Sequence, residues 1–292
     1  MRILNFGSLN IDHVYHVEHL VRPGETLTAD YSRQPGGKGL NQSVALAMAG
    51  AEVYHAGLVG PEGNFLRERL EDSGVDCSWL APTRLPCGHA MIQVDPAGEN
   101  TIVLFPGSNH GLTRAYIDRV LAHFEKGELL LVQNELNELP YLMRQAAARG
   151  MEIAFNAAPM TEAVRDYPLE LLRWLLVNRG EAAALTGEED PEKSAEALCG
   201  RYPGLALILT LGADGVLYRR DEVSLFIPAR RVEAVDSTGA GDTFVGYFLA
   251  AVADGADPGY ALTLATAAAA LAVTRPGAAD SVPSLEEVLK TL

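Results

Sequence analysis

From Leu112 onward, segments with the character of helices and strands alternate in a regular order. Helix-like "RAYIDRVLAHF" precedes strand-like "ELLLVQN", and "LPYLMRQAAARG" precedes "MEIAFN". Two further strands, "WLLVN" and "LALILTLG", enclose the helical segments "GEAAALTG" and "EKSAEALCGRY". Short apolar strands joined by amphipathic helices are typical of parallel sheets covered on both faces. The sequence therefore predicts an α/β fold, a three-layer α/β/α sandwich with a mainly parallel central sheet.

Before Leu112, two segments rich in strand-forming residues do not follow this alternation of helices and strands. They span about 12–34 and 87–105, and the second contains "CGHAMIQVD" and "NTIVLF" around the turn "PAGE". Strands with one polar face commonly cover another part of a protein. We expect one domain over 1–292, in which the two insertions form a small antiparallel sheet that acts as a lid.

The composition of the chain indicates which binding partners and which cellular compartment to expect. The 292 residues carry a formal net charge of −15 and no basic cluster, which argues against nucleic acid and against an anionic membrane surface. The three cysteines, Cys77, Cys87 and Cys199, lack C-x-x-C spacing, and the N-terminal segment lacks the apolar core of a signal peptide. The apolar run 261–273 is too short to span a bilayer. We expect a cytoplasmic protein.

Several catalytic motifs are missing from the chain. There is no G-x-x-x-x-G-K-[ST], no H-E-x-x-H and no G-x-S-x-G, which excludes a P-loop enzyme and disfavours a zinc protease or an esterase. The glycine pairs lack the third glycine of G-x-G-x-x-G, which disfavours a nucleotide-dependent oxidoreductase. His13, His16 and His19 are spaced by three in a strand-like segment, so they alternate between faces and do not predict a metal site.

The stretch "DSTGAGDTF", residues 236–244, predicts an anion site. It lies between "RVEAV", which we interpret as a strand, and the helix-like run "DTFVGYFLAAVA". The small residues Gly239, Ala240 and Gly241 let backbone N–H groups converge at the positive end of the helix. Asp242 beside such a site suits a general base that accepts a proton from a hydroxyl during phosphoryl transfer. The alternative is an aspartate that only stabilises the helix N-terminus.

A second glycine turn, "QPGGKGLNQSVALA", opens another helix. Gly37 permits close approach of a ligand, and Lys38 and Asn41 lie one turn apart on the same side. Lysine and amide side chains suit the hydroxyl groups of a polyol, although a tight turn with a solvated lysine is the alternative. Polar side chains also follow several predicted strands, where α/β sheets bind ligands: Asn10, Asp12, Glu135, Asn178 and Glu181.

The two glycine turns together are similar to the two signatures of the ribokinase-like carbohydrate kinases, the PfkB type. The segments "GSLNID", "VNRGE", "LTLGADGV" and "AVTRPGAADSVP" follow the family in the same order, so the resemblance covers nearly the whole chain. It implies a ribokinase-like sandwich and ATP-dependent phosphorylation of a sugar hydroxymethyl group, with D-ribose as the best match. Lids in this family often pair between subunits, which implies a homodimer.

The resemblance also implies roles for individual residues. Asp242 would be the base, and Gly239, Ala240 and Gly241 would form the anion hole. Glu181 would help to hold magnesium (Mg²⁺) through water. The sugar would be held by Asn10, Asp12, Gly37, Lys38, Asn41, Glu135 and Asp242. The nucleotide would be held by Asn178, Thr210, Leu211, Gly212, Ala213, Asp214, Gly215, Gly241 and Thr266.

A monovalent cation is implied beside the anion hole. In ribokinases the aspartate that matches Asp236 helps to bind such an ion, and potassium (K⁺) is expected. The remaining oxygen ligands would come from Thr238, Ala272, Arg275, Gly277 and Ser281.

The sequence is compatible with several classes of substrate. Substrates with a second phosphate would require cationic side chains in the lid, and the lid segments offer only Arg22 and Arg33. A neutral sugar is therefore favoured, with D-ribose first and another neutral, fructose-like sugar or a nucleoside as alternatives. A catalytically silent sugar-binding protein on the same fold is disfavoured because Asp242 and the glycine turn are both intact.

Overall fold

A computed structural model describes all 292 residues, and a nine-stranded sheet forms its centre. Seven neighbouring strands are parallel, and the last two along one edge are antiparallel to their neighbours. In spatial order the strands are β13 (Val223–Pro228), β12 (Gly215–Arg220), β11 (Ala206–Thr210), β10 (Trp174–Asn178), β9 (Glu152–Asn156), β8 (Leu129–Gln133), β1 (Ile3–Phe6), β4 (Val53–Val59) and β5 (Asp76–Pro82).

Helices cover both faces of this sheet and form two separate cores. The first core contains 40 buried residues under α1 (Lys38–Met48), α2 (Asn64–Asp72), α7 (Ala240–Ala253), α8 (Pro258–Ala272) and α9 (Leu285–Leu289). The second contains 33 buried residues under α3 (Arg114–Leu121), α4 (Leu139–Ala148), α5 (Arg179–Thr186) and α6 (Pro191–Arg201). Successive side chains of a strand point to opposite faces of the sheet and therefore pack into different cores. Leu129, for example, lies in the first core and Leu130 in the second. The predicted three-layer sandwich is confirmed.

The two insertions form a separate four-stranded sheet, which we call the lid sheet. Its strands, in spatial order, are β3 (Asp30–Gly36), β2 (Asn10–His16), β6 (Gly88–Val94) and β7 (Asn100–Phe105). The prediction of a purely antiparallel sheet was wrong, because β2 pairs with β6 in parallel. Each insertion is a hairpin that leaves the body through its first strand, and these two first strands run side by side in the same direction.

A second local prediction was also wrong. The segment "RVEAV" before the glycine turn is irregular rather than a strand. Val235 and Asp236 donate backbone hydrogen bonds to the carbonyl of Val273 at 2.7 and 3.1 Å, so the segment is held by the end of α8 and not by a sheet. The strand-like pattern precedes it, in β13, which forms the exposed edge of the main sheet.

None of the helices combines the length and the apolar character needed to cross a membrane. The polar ends of the parallel strands and the N-termini of α1, α5 and α7 meet at one edge of the main sheet, beneath the lid sheet. This edge holds the candidate site.

Candidate active site

A cavity of about 240 Å³ opens at this edge of the main sheet. Its walls come from the two glycine turns and from the ends of β9, β10 and β11. The lining residues are Lys38, Asn156, Ala158, Leu176, Val177, Asn178, Glu181, Thr210, Ser237, Gly239, Gly241, Asp242, Phe244 and Val245.

The stretch "DSTGAGDTF" leads into α7 and forms its N-terminus, as predicted from the sequence. Gly239 is the N-cap residue with φ of 75°, a conformation that favours glycine. The backbone N–H of Ala240 donates to the carbonyl of Ser237 at 3.3 Å. The N–H groups of Gly239 and Gly241 have no partner within the protein and lie at the cavity, so they suit a bound anion.

Asp242 lies in the first turn of α7 and is only 7 % exposed. Its two carboxylate oxygens each accept one side-chain amide hydrogen bond, from Asn41 Nδ2 at 3.0 Å and from Gln42 Nε2 at 2.8 Å. The Oδ1 atom of Asn41 is buried without any partner. A buried acceptor without a partner beside a carboxylate suits a ligand hydroxyl, which could donate to either group.

Carboxyl groups surround Lys38 next to the cavity. Burial, with the nearby Glu135 and Asp242, raises the pKa of Asp12 to about 7. Burial also raises the pKa of Glu135, whose Oε2 accepts from the Lys38 backbone N–H at 3.0 Å and from the hydroxyl of Ser8. The charge of Asp242 raises the pKa of Lys38, so its ammonium is retained at neutral pH.

Asn10 and Gly37 lie where the lid sheet joins the body. A Cβ at Gly37 would lie 3.0 Å from the backbone nitrogen of Asn10, and its φ is 93°, so both space and backbone favour glycine. The Oδ1 atom of Asn10 accepts from Asn109 Nδ2 at 2.7 Å, and Asn109 Oδ1 accepts from the Leu9 N–H at 3.0 Å. Asn109 therefore fixes the position of Asn10.

Another wall of the cavity is formed at the N-terminus of α5. Asn178 and Glu181 form a capping box, in which each side chain accepts from the other's backbone N–H at 2.9 and 2.8 Å. Both residues line the cavity with Thr210, and burial raises the pKa of Glu181. One oxygen of Glu181 stays available to a hydrated cation.

Other residues predicted for the nucleotide lie outside the cavity wall. The run Leu211, Gly212, Ala213, Asp214 and Gly215 follows β11, and its middle three residues are solvent-exposed. Asp214 pairs with Arg179 at 2.6 Å across the rim. Thr266 is buried in α8 with its hydroxyl unpartnered, away from the cavity wall.

The residues predicted to hold potassium lie on two loops that contact each other. The carboxylate of Asp236 accepts from the Thr238 and Gly277 N–H groups, each at 2.9 Å. Although burial opposes it, these hydrogen bonds lower the pKa of Asp236 below its usual range. Ser281 is buried and donates to the carbonyl of Ala278 at 2.8 Å. The carbonyls of Arg275 and Gly277 lie in the same loop, and Ala272 is the last residue of α8 just before it. Oxygen ligands of this kind suit a hard cation.

Sequence reasoning missed a group of buried amides behind Asp242. Gln42, Gln133 and Asn5 are each fully buried, and Asn156 is 9 % exposed. The available signal was a polar residue inside otherwise apolar strands, such as "ILNF" and "LLLVQ". Buried polar side chains in a parallel sheet require hydrogen-bond partners, and therefore indicate a polar network.

Comparisons with known proteins agree on one family. A family model described as the pfkB family carbohydrate kinase matches residues 2–285. A ribokinase of Haemophilus influenzae is 34 % identical, covering 98 % of this chain and 96 % of the relative. A crystal structure of ribokinase from Cryptococcus neoformans in complex with ADP has a TM-score of 0.88 at 33 % identity and covers 100 % of this chain and 99 % of that one. The structure of Arabidopsis thaliana ribokinase complexed with ribose and ATP has a TM-score of 0.87 at 27 % identity, with coverage of 99 % and 97 %.

Proposed function

This chain belongs to the pfkB family of carbohydrate kinases, and from that premise we propose that it transfers the γ-phosphoryl group of ATP to the hydroxymethyl group of D-ribose. The observation that carries the proposal is the pairing of a buried carboxylate, Asp242, with unpartnered backbone donors at Gly239 and Gly241 in one cavity. A base and an anion site side by side are what phosphoryl transfer to an alcohol requires.

In this proposal one residue accepts the proton, and other residues stabilise the phosphoryl group that is transferred. Asp242 accepts the proton of the sugar hydroxyl while that oxygen attacks the γ-phosphorus in line. The N–H groups of Gly239 and Gly241, with the Lys38 ammonium, stabilise the charge on the transferred phosphoryl oxygens. The helix dipole of α7 adds to this stabilisation because the site lies at its N-terminus.

Electrostatics favours a neutral sugar over a sugar phosphate. Four carboxyl groups, from Asp12, Glu135, Glu181 and Asp242, act on the single ammonium of Lys38 or on one another. Arg33 pairs in register with His13, on the lid face opposite Asp12, and stacks on Phe65 at 4.4 Å. A second phosphate on the substrate would therefore meet carboxylates without a compensating cation.

For the sugar contacts we propose Asn10, Asp12, Gly37, Lys38, Asn41 and Glu135. Carboxylates and amides suit neighbouring hydroxyl groups because they accept or donate in pairs. The residues come from both the lid sheet and the body, so the sugar would lie between them. The unpartnered Oδ1 of Asn41 supports this placement because a sugar hydroxyl would satisfy it.

For the nucleotide we propose Asn178, Thr210 and the run 211–215, with Thr266 nearer to the base. Glu181 would hold Mg²⁺ through water, and bound magnesium would neutralise charge on the ATP phosphates. Glu181 fits this role because it lines the cavity and keeps one oxygen free of the capping box.

We propose a potassium site formed by Asp236, Thr238, Ala272, Arg275, Gly277 and Ser281. Its support is a carboxylate that joins two loops, together with carbonyl oxygens at the end of α8 and in the loop that follows it. A cation there would hold the glycine turn against the loop at 277 and offset local negative charge.

The protein is proposed to be a cytoplasmic homodimer that pairs through the lid sheet. All three cysteines are free, which suits a reducing compartment. Every residue of β7 is exposed, including Ile102, Val103, Leu104 and Phe105. Exposed apolar strands at a sheet edge favour association with a second copy.

A substrate panel tests the proposed function. Coupled ADP release is measured with ATP and with ribose, 2-deoxyribose, fructose, other pentoses and hexoses, adenosine, uridine, pseudouridine and fructose 6-phosphate. We expect the highest kcat/KM with ribose and none above background with fructose 6-phosphate. A different compound far ahead of ribose would overturn the choice of substrate, and no turnover with any of them would overturn the kinase assignment.

A further inference from the structure

Polar side chains interrupt the first core directly behind the proposed base. The strands β1, β4, β8 and β9 direct Asn5, His55, Gln133 and Asn156 toward α1, among residues that are otherwise apolar. Burial of such groups is unfavourable unless their hydrogen bonds are satisfied. The sugar and nucleotide contacts proposed above do not use Asn5, His55 or Gln133, so these residues require a separate explanation.

Asn5, Gln133 and Asn156 are connected through Gln42 in one path of hydrogen bonds that ends on Asp242. Gln133 Nε2 donates to Asn5 Oδ1 at 2.9 Å and to Gln42 Oε1 at 2.7 Å. Gln42 Nε2 then donates to Asp242 Oδ1 at 2.8 Å and to Asn156 Oδ1 at 3.0 Å. The path thus connects the centre of the main sheet to one oxygen of the base.

Two backbone carbonyls determine the direction of every amide in this path. The carbonyl of Gly39 accepts from Asn5 Nδ2 at 2.8 Å, and that of Leu176 accepts from Asn156 Nδ2 at 3.1 Å. A carbonyl can only accept, so both Oδ1 atoms must point into the path. Gln133 must then donate to Gln42 Oε1, which leaves the NH₂ group of Gln42 directed at Asp242. Reversal of any one amide would place two oxygens, or two N–H donors, against each other.

We propose that Gln133 is a positioning residue for phosphoryl transfer, acting through Gln42. It holds the Gln42 amide nitrogen toward Asp242, and Asn41 holds the second carboxylate oxygen. With both oxygens fixed, the remaining lone pairs of Asp242 point into the cavity, where the sugar hydroxyl must be deprotonated. This inference rests on the proposed kinase function and names the part of the structure that orients its base.

Charge does not explain the path. The charged groups that face Asp242 are Lys38 from α1, Asp12 from the lid sheet, Glu135 after β8 and Glu181 from α5. Gln133 and Gln42 are neutral, so their replacement by another neutral residue leaves this set of charges unchanged. A loss of turnover in such variants would report on orientation and hydrogen bonding.

The variant Gln133→Met tests the proposal, with Ser43→Ala as the matched control. Methionine keeps the size of glutamine but cannot donate, so Gln42 Oε1 loses its partner and the Gln42 amide is held only by the bonds from its Nε2 to Asn156 and Asp242. Ser43 is equally buried in the same cluster, where its Oγ accepts from Asn5 Nδ2 at 2.8 Å and contacts His55. Its loss leaves the bond from Asn5 to the Gly39 carbonyl intact, and with it the direction of the path.

The measurements are kcat and KM with ribose and ATP, together with the melting temperature Tm of each variant. We expect both variants to lower Tm, and only Gln133→Met to lower kcat, by roughly 10- to 100-fold, with KM for ATP changed less than about threefold. The double variant Gln42→Met/Gln133→Met should have the kcat of Gln42→Met alone, because Gln133 acts only through Gln42.

Three results would overturn the positioning role. They are a wild-type kcat in Gln133→Met, an equal loss of kcat in Ser43→Ala, or multiplicative losses in the double variant. If Gln133→Met does not fold, Gln133→Leu is judged by the same criteria, since leucine is also neutral and lacks the two N–H donors. Wild-type enzyme without turnover on any sugar would instead refute the proposed function, which keeps the two failures separate.

Discussion

At the scale of single residues, a variant of the proposed base Asp242 distinguishes proton transfer from nucleotide binding. The variant Asp242→Asn keeps the size of the side chain and one oxygen that can accept an amide hydrogen bond, but it cannot accept a proton. We expect kcat to fall by roughly 10²- to 10⁴-fold, with nucleotide affinity largely kept because the N–H groups of Gly239 and Gly241 remain in place. Coupled ADP release measures the first quantity and calorimetric titration with ATP the second.

The same substitution at the other end of α7 is the control for this prediction. Asp254 is the exposed C-cap residue of α7, so Asp254→Asn makes an identical chemical change at a distance from the cavity. Its kcat should equal that of the wild type. Near-normal turnover in Asp242→Asn would show that another group accepts the proton.

The raised pKa of Asp12 gives a second prediction, on stability against pH. A carboxyl whose pKa rises from 3.8 to about 7 on folding keeps its proton in the folded state after the unfolded chain has lost it. Its contribution to stability is therefore full below pH 4 and is lost as pH rises through 7. Asp12→Asn removes this loss, so we expect its Tm relative to the wild type to increase between pH 5 and pH 8.

Asp30→Asn is a suitable control because Asp30 lies on the same lid sheet but is exposed. Differential scanning fluorimetry at pH 5, 6, 7 and 8 measures all three proteins. If the Tm of Asp12→Asn follows the wild type in parallel over this range, the carboxyl of Asp12 does not titrate as its burial indicates.

At the scale of elements, the N-cap position of α7 requires glycine for two reasons, its backbone conformation and the lack of space for a Cβ. Gly239 has a left-handed backbone, and a Cβ there would lie 2.9 Å from the Cα of Ala278. Gly187, the C-cap of α5, has a similar φ of 81° but open space around it. Alanine at either site should cost about 1 kcal/mol of stability from backbone strain.

Only Gly239→Ala should also lower turnover, because it pushes the glycine turn away from the loop at 278. We expect its kcat to fall by about 10²-fold while Gly187→Ala keeps the wild-type value. Chemical denaturation compares the two stabilities and ADP release the two rates. Equal activities would show that the position of the turn is not critical for the anion hole.

The loop pairing made by Asp236 leads to a prediction on monovalent ions. We expect K⁺ to raise kcat and Tm more than Na⁺ does, and Asp236→Ala to weaken both effects, because this carboxylate joins the two loops that would hold the ion. The comparison uses equal ionic strength with choline chloride as the reference salt. A wild type that responds equally to all three salts would refute the cation site.

The elements also show which parts of the molecule local patterns could predict. Both glycine turns and the alternating strands and helices follow from spacing within about 15 residues, so the sequence indicates them directly. The parallel pairing of β2 with β6 depends on how two distant hairpins meet, and no local pattern encodes it. The path from Gln133 to Asp242 likewise requires three distant segments to converge, so the sequence showed only isolated polar residues in apolar strands.

At the scale of the whole molecule, the lid sheet presents an apolar surface that a second copy could cover. Register places Met91, Val103 and Phe105 on the face opposite Asp12, and these three are 50, 68 and 44 % exposed. We expect the wild type to sediment as a dimer and Val103→Lys to shift toward monomer, because a charge in this interface would remain unpaired.

Val223→Lys is the control for assembly. Val223 lies on β13, the exposed edge of the main sheet, and is 52 % exposed. Analytical ultracentrifugation over a range of concentrations should give the same dimer for this variant as for the wild type. A dimer in Val103→Lys that dissociates no more easily than the wild type would place the interface elsewhere.

The division of the proposed sugar contacts between the lid sheet and the body has a further consequence for the fidelity of phosphoryl transfer. Asp12 belongs to the lid sheet, whereas Lys38, Asn41 and Glu135 belong to the body, so a full set of partners needs a molecule large enough to reach both. Water, the competing acceptor of a phosphoryl group in every kinase, cannot bridge them. An empty site therefore has little to hold the lid over ATP, and we expect the cofactor to be spared from idle hydrolysis until a sugar arrives.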